Sequence, residues 1–262
     1  HRFTYFLGLM SSYLSHRRKA FAGAFAPTDI AGLDLWLDAS DNSTVLDPDG
    51  PAADNVEVRT WQDKSGNANH AVQTTSTRRP LRRAAQINGL DALDFDGSND
   101  YMAGTADLTP RQTEAKTVFM VTYHKTSSTD TALVLYDSAT VGAYGGINAE
   151  VSYRCVGRTW VSTDPLANGQ ATILTLAQSG SGNLSSTISM WEDGTSIARD
   201  AGSSADGLTV DGAAGWQVGG TFRFGVYIDA YFCEVVIYDT ELSAGDRGDV
   251  ETYLADKWGI TI

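Results

Sequence analysis

The feature that most constrains this chain is its rhythm of short β-prone runs, each closed by a Gly-, Asn- or Asp-rich turn, from Ile30 to Tyr238. Leu33-Asp34-Leu35-Trp36-Leu37-Asp38 alternates nearly throughout and ends in Ser40-Asp41-Asn42-Ser43. Lys116 to His124 is an almost unbroken β-branched and aromatic run, the kind a central strand gives. Further runs occupy Ala132 to Tyr136, Val151 to Val156, Ala171 to Leu176, Trp216 to Val218 and Asp229 to Tyr238. Asp193-Gly194 sits between two alternating segments, Ser186 to Glu192 and Thr195 to Ala198, and predicts a hairpin with a two-residue primed turn. The pattern predicts an all-β jelly-roll sandwich of two antiparallel sheets. Only after Ser243 does the period become helical. Ser243 with Asp246 is a capping signal, Val250, Leu254 and Trp258 share one stripe, and Gly259 ends it, which predicts a helix over Ala244 to Trp258.

The stretch Trp61 to Met102 carries the most specific information. It begins Trp61-Gln-Asp-Lys-Ser-Gly-Asn-Ala-Asn-His-Ala71, passes through a basic linker (Arg78, Arg79, Pro80) and ends Leu93-Asp-Phe-Asp-Gly-Ser-Asn-Asp-Tyr101. Ser65-Gly66-Asn67 and Asp96-Gly97-Ser98-Asn99 supply turn formers, leaving Leu93, Phe95 and Tyr101 as core candidates. With Gly32-Leu-Asp-Leu-Trp-Leu-Asp-Ala-Ser-Asp41 before it and Glu234-Val-Val-Ile-Tyr-Asp-Thr-Glu-Leu-Ser243 after, this order resembles the laminin-G-like, concanavalin-A-like lectin and glucanase jelly rolls, over about residues 30–262. The resemblance implies one domain over 29–262, and the length suits a single sandwich.

Residues 1–28 are of another kind. An apolar run from Phe3 to Leu14 precedes the basic cluster His16-Arg17-Arg18-Lys19, the reverse of a secretory leader's order. The segment is therefore read as an N-terminal anchoring arm that docks onto other virion or assembly subunits, with folding back onto its own domain as the alternative. By analogy with lectin-like virion proteins, the expected setting is a virion surface, as a phage fibre, spike or decoration protein for host attachment. An extracellular or bacterial cell-surface protein is the alternative. The formal charge of −13 argues against nucleic acid as partner, and no run is long and apolar enough for a membrane span. Cys155 and Cys233 lie far apart in strand contexts and are read as free buried thiols, with one inter-strand disulfide as the alternative.

Enzymatic chemistry finds little footing. Retaining glucanases of the resembled fold carry Glu-x-Asp-x-x-Glu on one strand; here Glu150, Glu192 and Glu234 stand singly, so the chain is expected not to be an enzyme. His70 and His124 are expected to be structural, and neither a zinc motif nor a nucleophile elbow occurs. Arg247-Gly248-Asp249 falls within the predicted helix, where it cannot act as an exposed adhesion loop. The resemblance implies a calcium ion as candidate cofactor, with Asp63, Asn67, Asn69, Asp96 and Asp100 as oxygen donors in two turns; plain Asx turns are the alternative. Carbohydrate needs aromatic platforms beside planar polar groups, and the candidates are Trp160, Trp216, Phe222, Phe224 and Tyr227. The expected role is a non-catalytic binding module recognising host cell-surface polysaccharide, with a purely structural virion protein and a glycan hydrolase as alternatives.

Overall fold

The computed structural model describes residues 24–108, 114–125, 131–137, 144–148, 152–155, 158–161, 169–180, 188–198, 215–221 and 225–262. In chain order the strands are β1 (Leu33–Asp38), β2 (Val45–Leu46), β3 (Thr60–Trp61), β4 (Ala71–Val72), β5 (Leu81–Ile87), β6 (Leu90–Asp96), β7 (Met102–Gly104), β8 (Lys116–His124), β9 (Thr131–Asp137), β10 (Tyr144–Asn148), β11 (Ser152–Cys155), β12 (Arg158–Val161), β13 (Ala171–Gln178), β14 (Ile188–Glu192), β15 (Thr195–Ser196), β16 (Trp216–Val218), β17 (Gly220–Thr221), β18 (Val226–Tyr227) and β19 (Asp229–Tyr238), followed by helix α1 (Ala244–Trp258). One large sheet runs β15-β14-β13-β8-β19-β6-β5, with β1 also on β19; the other runs β12-β11-β10-β9-β16-β7-β4-β3-β2, and β17 and β18 form a separate two-stranded ribbon. The two antiparallel sheets and the C-terminal helix are the sandwich that the alternation predicts.

Strand β8 explains why its run is continuously apolar. Val118 and Met120 point into the core between the sheets, among Leu35, Phe95 and Trp216. Phe119 and Val121 point the other way, into a second core under α1 with Trp36, Tyr238, Leu254 and Trp258. A strand covered on both faces loses the polar half of its alternation. The helix is capped as predicted, with Ser243 Oγ accepting from the Asp246 amide at 3.1 Å and Gly259 at φ 70°. The hairpin turn has the predicted handedness, Asp193 at φ 47° and Gly194 at φ 74°. No helix among the described residues is long and apolar enough to cross a membrane.

Two features differ from the sequence reading. The basic linker at 78–80 leads into a full edge strand, β5, whose Arg82 and Arg83 pair with Asp91 and Asp94 of β6. Its stability comes from cross-strand ion pairs rather than an apolar face, so alternation does not reveal it. In β19 the register with β8 slips between Phe232 (opposite Thr122) and Glu234 (opposite Val121), leaving Cys233 as an extra residue. This bulge turns Glu234 from the inter-sheet core toward the helix. Cys233 itself is buried and unbonded.

Residues 1–23 lie outside the described part, but the end of the proposed arm touches the domain. The Phe25 ring lies 5.8 Å from that of Tyr253, and the buried Tyr238 hydroxyl donates to the Pro27 carbonyl at 2.9 Å. Truncation after residue 23 is expected to leave thermal stability unchanged. Truncation after Thr28 should lower it by about 1–3 kcal/mol, because the Tyr238 hydroxyl loses its partner. Thermal melts of the two truncations check this, and equal stability would show that Phe25 and Pro27 are ornamental.

Candidate functional site

The motif residues around Asp63 build a clasp. Asp63 Oδ1 accepts from the amides of Trp36 (2.9 Å) and Ser65 (2.8 Å), and Oδ2 accepts from the Asn69 amide (2.9 Å) and the Ser65 hydroxyl (2.7 Å). Asn67 and Asn69 donate their side-chain amides to the Leu33 and Asp34 carbonyls, each at 2.9 Å. His70 Nδ1 accepts from the Asp63 amide at 3.0 Å, a structural role. The loop is thus bound to β1. Asp96 and Asp100 share a different turn, where the Asp96 amide donates to Asp100 Oδ2 at 3.3 Å. Among the described residues no three His, Cys, Asp or Glu side chains are placed to hold a metal ion.

A second group of motif residues forms a buried charge network beneath α1. Glu234, 1% exposed, accepts from Trp36 Nε1 (2.7 Å), Tyr253 Oη (2.9 Å), Lys257 Nζ (2.8 Å) and Trp258 Nε1 (2.8 Å). Lys257 also reaches Asp38 at 2.7 Å, and Lys64 joins Asp38 to Asp41 at 2.8 and 2.9 Å. Burial, with the charge of Asp38, pushes the Glu234 carboxyl up. For Asp38 burial pushes the same way, but the charge and hydrogen bond of Lys257, with Lys64 and Ser40, outweigh it and hold the carboxyl down. The Glu234 and Asp38 carboxylates are engaged by other parts of the fold, and through Tyr253, Lys257 and Trp258 the network locks the helix to the sheet.

The surface does offer a polar cleft of about 370 Å³ at the β5 edge. Arg83 of β5, Asp94 and Asp96 of β6, Asp100 of the following turn and Lys125 after β8 line it, with Arg79 and Glu57 opposite. The ends of β6 and β8 are brought together because β19 pairs with both. Lys125 Nζ bridges Asp94 and Asp229 at 2.6 Å each and lies 5.0 Å above the Tyr231 ring, which pairs with Tyr123 at 5.8 Å. Tyr101, next to Asp100 in the chain, packs 6.4 Å from Tyr227. Aromatic rings and planar charged groups therefore share this end of the sandwich.

Asp100 is the perturbed group of the cleft. It is 6% exposed, and burial, then the charges of Asp96 and Asp94, raise its carboxyl from 3.8 to about 7. A raised acid binds its proton more tightly folded than unfolded, so its contribution to stability falls as pH rises from about 4 to about 7. Asp100→Asn is expected to stabilise the protein by about 1–2 kcal/mol at pH 8, less than the full shift implies because cleft water screens the charge. At pH 4 it should change nothing. Urea denaturation at the two pH values measures this, and a gain of equal size at pH 4 would rule out ionisation as the cause.

Of the expected carbohydrate contacts, Tyr227 is half-buried and packs on Tyr101, the residue after Asp100. Trp216 requires correction as a sugar platform: it is wholly buried between the sheets, its ring stacked where a side chain at Gly104 would otherwise lie. Phe222, Phe224 and the Trp160 side chain lie outside the described residues. Sequence reading misses Glu57, Arg79, Arg83, Asp94 and Lys125; the legible signal is the complementary charge of Arg82-Arg83 and Asp91-x-x-Asp94 on adjoining segments. The Arg-Gly-Asp tripeptide lies within α1, as expected, and the Arg247 guanidinium stacks 3.8 Å over the Trp191 ring of β14.

No family model matches this chain, and no curated protein sequence does either. Among solved structures it is similar to domain 4 of AbnA, a GH43 extracellular arabinanase from Geobacillus stearothermophilus, in complex with arabinotriose: TM-score 0.58, 11% identity, over 84% of this chain and 98% of that one. It is also similar to the binding domain of Paraclostridial Mosquitocidal Protein 1, with TM-score 0.56, 10% identity, over 90% of this chain and 56% of that one. The receptor binding domain of botulinum neurotoxin D gives TM-score 0.54 and 12% identity, over 90% of this chain and 57% of that one. The chain thus spans just over half of each toxin domain. These likenesses establish the fold, a β-sandwich.

Proposed function

We propose that this protein is a non-catalytic glycan-binding module that engages cell-surface polysaccharide through the cleft at the β5 edge. The observation that carries the reading is the cleft itself, an open polar recess lined by guanidinium, ammonium and carboxylate groups, with the Tyr231 ring 5.0 Å beneath Lys125 and Tyr101 next to Asp100 in the chain. Pyranose and furanose rings are recognised by that combination, hydroxyls by planar polar groups and C–H faces by aromatic rings. The structural likeness to an arabinanase domain in complex with arabinotriose and to two toxin binding domains supports it. Attachment through residues 1–28 to a larger assembly such as a virion exterior completes the proposal; it rests on the apolar and basic sequence of that segment.

A glycan array probed with the whole chain tests the reading. Bound glycans are expected to lose affinity at least tenfold with Asp96→Ala, and Tyr227→Ala should weaken them too. An array without signal, or signal indifferent to both variants, would remove the cleft as a site. The second reading, hydrolysis, is favoured by one observation: Asp100, raised to about 7, stands beside Asp96, as an acid beside a carboxylate does in glycoside hydrolysis. Under the binding reading no reducing ends are released from the array's ligands; release abolished by Asp100→Asn would establish the hydrolase instead.

A further inference from the structure

Resting on the glycan-binding reading above, we propose that the cleft selects uncharged, hydroxyl-rich sugars over acidic ones. The ground is which of its charges are already engaged. Arg79 donates to the Gln73 carbonyl (2.9 Å) and the Thr74 carbonyl (2.8 Å) and lies 3.7 Å from Glu57. Arg83 donates to Asp94 at 2.7 Å and to the Asn55 side chain. Lys125 holds Asp94, Asp229 and the Phe95 carbonyl at 2.6, 2.6 and 3.1 Å. Each cation is thus tied by two or more protein acceptors, and a carboxylate on a ligand would have to displace them.

The carboxylates stand the other way. Asp96 uses Oδ1 alone, accepting from the amides of Ser98 and Asn99 at 2.8 and 3.3 Å. Asp100 uses Oδ2 alone, on the Asp96 amide at 3.3 Å, although the residue is 94% buried by its 6% exposure and lines the cleft. The second oxygen of each accepts from no protein donor among the described residues, and both residues line the cleft, where a ligand can supply one. Sugar hydroxyls supply such donors without bringing charge. A uronate or sialate would bring its negative charge to a wall whose open atoms are carboxylate oxygens, on a chain of net charge −13.

The experiment is calorimetric titration of the whole chain at pH 8 with arabinotriose and maltotriose as neutral probes and trigalacturonate as the acidic probe. A neutral probe is expected to bind at least tenfold more tightly than trigalacturonate. Its affinity should change less than twofold between 50 and 500 mM NaCl, and should fall at least tenfold in Asp96→Ala and at least fivefold in Asp100→Asn. Tighter binding of trigalacturonate, steeply weakened by salt and lost in Arg79→Gln or Arg83→Gln, would keep the cleft as the site and overturn the selectivity. Binding that none of these variants alters, each with an intact circular dichroism melt, would remove the cleft and this inference with it. Binding of neither class would overturn both.

Discussion

Glu234→Ala is expected to destabilise the fold by about 3–5 kcal/mol, the range for breaking a buried ion pair from one side. The carboxylate is 1% exposed and its donors come from β1, from α1 and from the helix end: Trp36, Tyr253, Lys257 and Trp258. Removing it leaves the two indole N–H groups and the Tyr253 hydroxyl without their acceptor under the helix and the Lys257 ammonium with Asp38 as its remaining anion, so the desolvation of those groups is no longer fully compensated. Lys257→Met is expected to be nearly as harmful, since Glu234 then faces Asp38 without the cation between them. The double variant Glu234→Gln with Lys257→Met should be less destabilised than the sum of its singles, because the neutral amide keeps acceptor capacity and no orphaned charge remains. Urea denaturation with linear extrapolation measures these variants together with the Glu234→Gln single that the comparison needs. Strict additivity, or a loss under 1 kcal/mol for Glu234→Ala, would mean that the network is solvated and the helix is held by packing alone.

That network shows where sequence reading reaches and where it stops. The strands, the hairpin turn, the caps of α1 and its buried stripe are legible because each is written locally, in alternation, in Asp-Gly and in Ser-x-x-Asp. Glu234 stands alone in the sequence and reads as a solvated acid. What buries it is the bulge at Cys233, which no local pattern in Ala-Tyr-Phe-Cys-Glu-Val-Val announces, together with partners separated from it by 198 residues at Trp36 and 24 at Trp258. The cleft is hidden for the same reason. Its groups come from the 57–100 stretch and from Lys125, and only the pairing of β19 with both β6 and β8 brings them together. The Asp63 turn is ambiguous in sequence, since oxygen-rich spacing suits both a cation site and a backbone clasp; in the fold both side-chain oxygens of Asp63 accept from the chain itself.

Trp216→Ala should cost about 3–5 kcal/mol, the range for truncating a buried aromatic, and this loss decides whether the residue is core or ligand platform. Its indole is wholly buried in the inter-sheet cluster, and β16 pairs it directly with Gly104, where a Cβ would fall 2.3 Å from the ring. The ring thus fills the space that the glycine leaves. Gly104→Ala is accordingly expected to destabilise by about 1–3 kcal/mol through overpacking. Trp216→Phe should be far milder, under about 1.5 kcal/mol, because the indole Nε1 is buried without a partner and the smaller ring removes that unpaired donor. In the Trp216→Phe background the Gly104→Ala cost should shrink, since the two side chains compete for one volume. Chemical denaturation of the four variants gives the stability cycle, and titration of a bound glycan into Trp216→Phe gives the functional arm. Affinity is expected to stay unchanged. A stable Trp216→Phe that loses its glycan would return Trp216 to the ligand surface and show that the sheets open there to admit it.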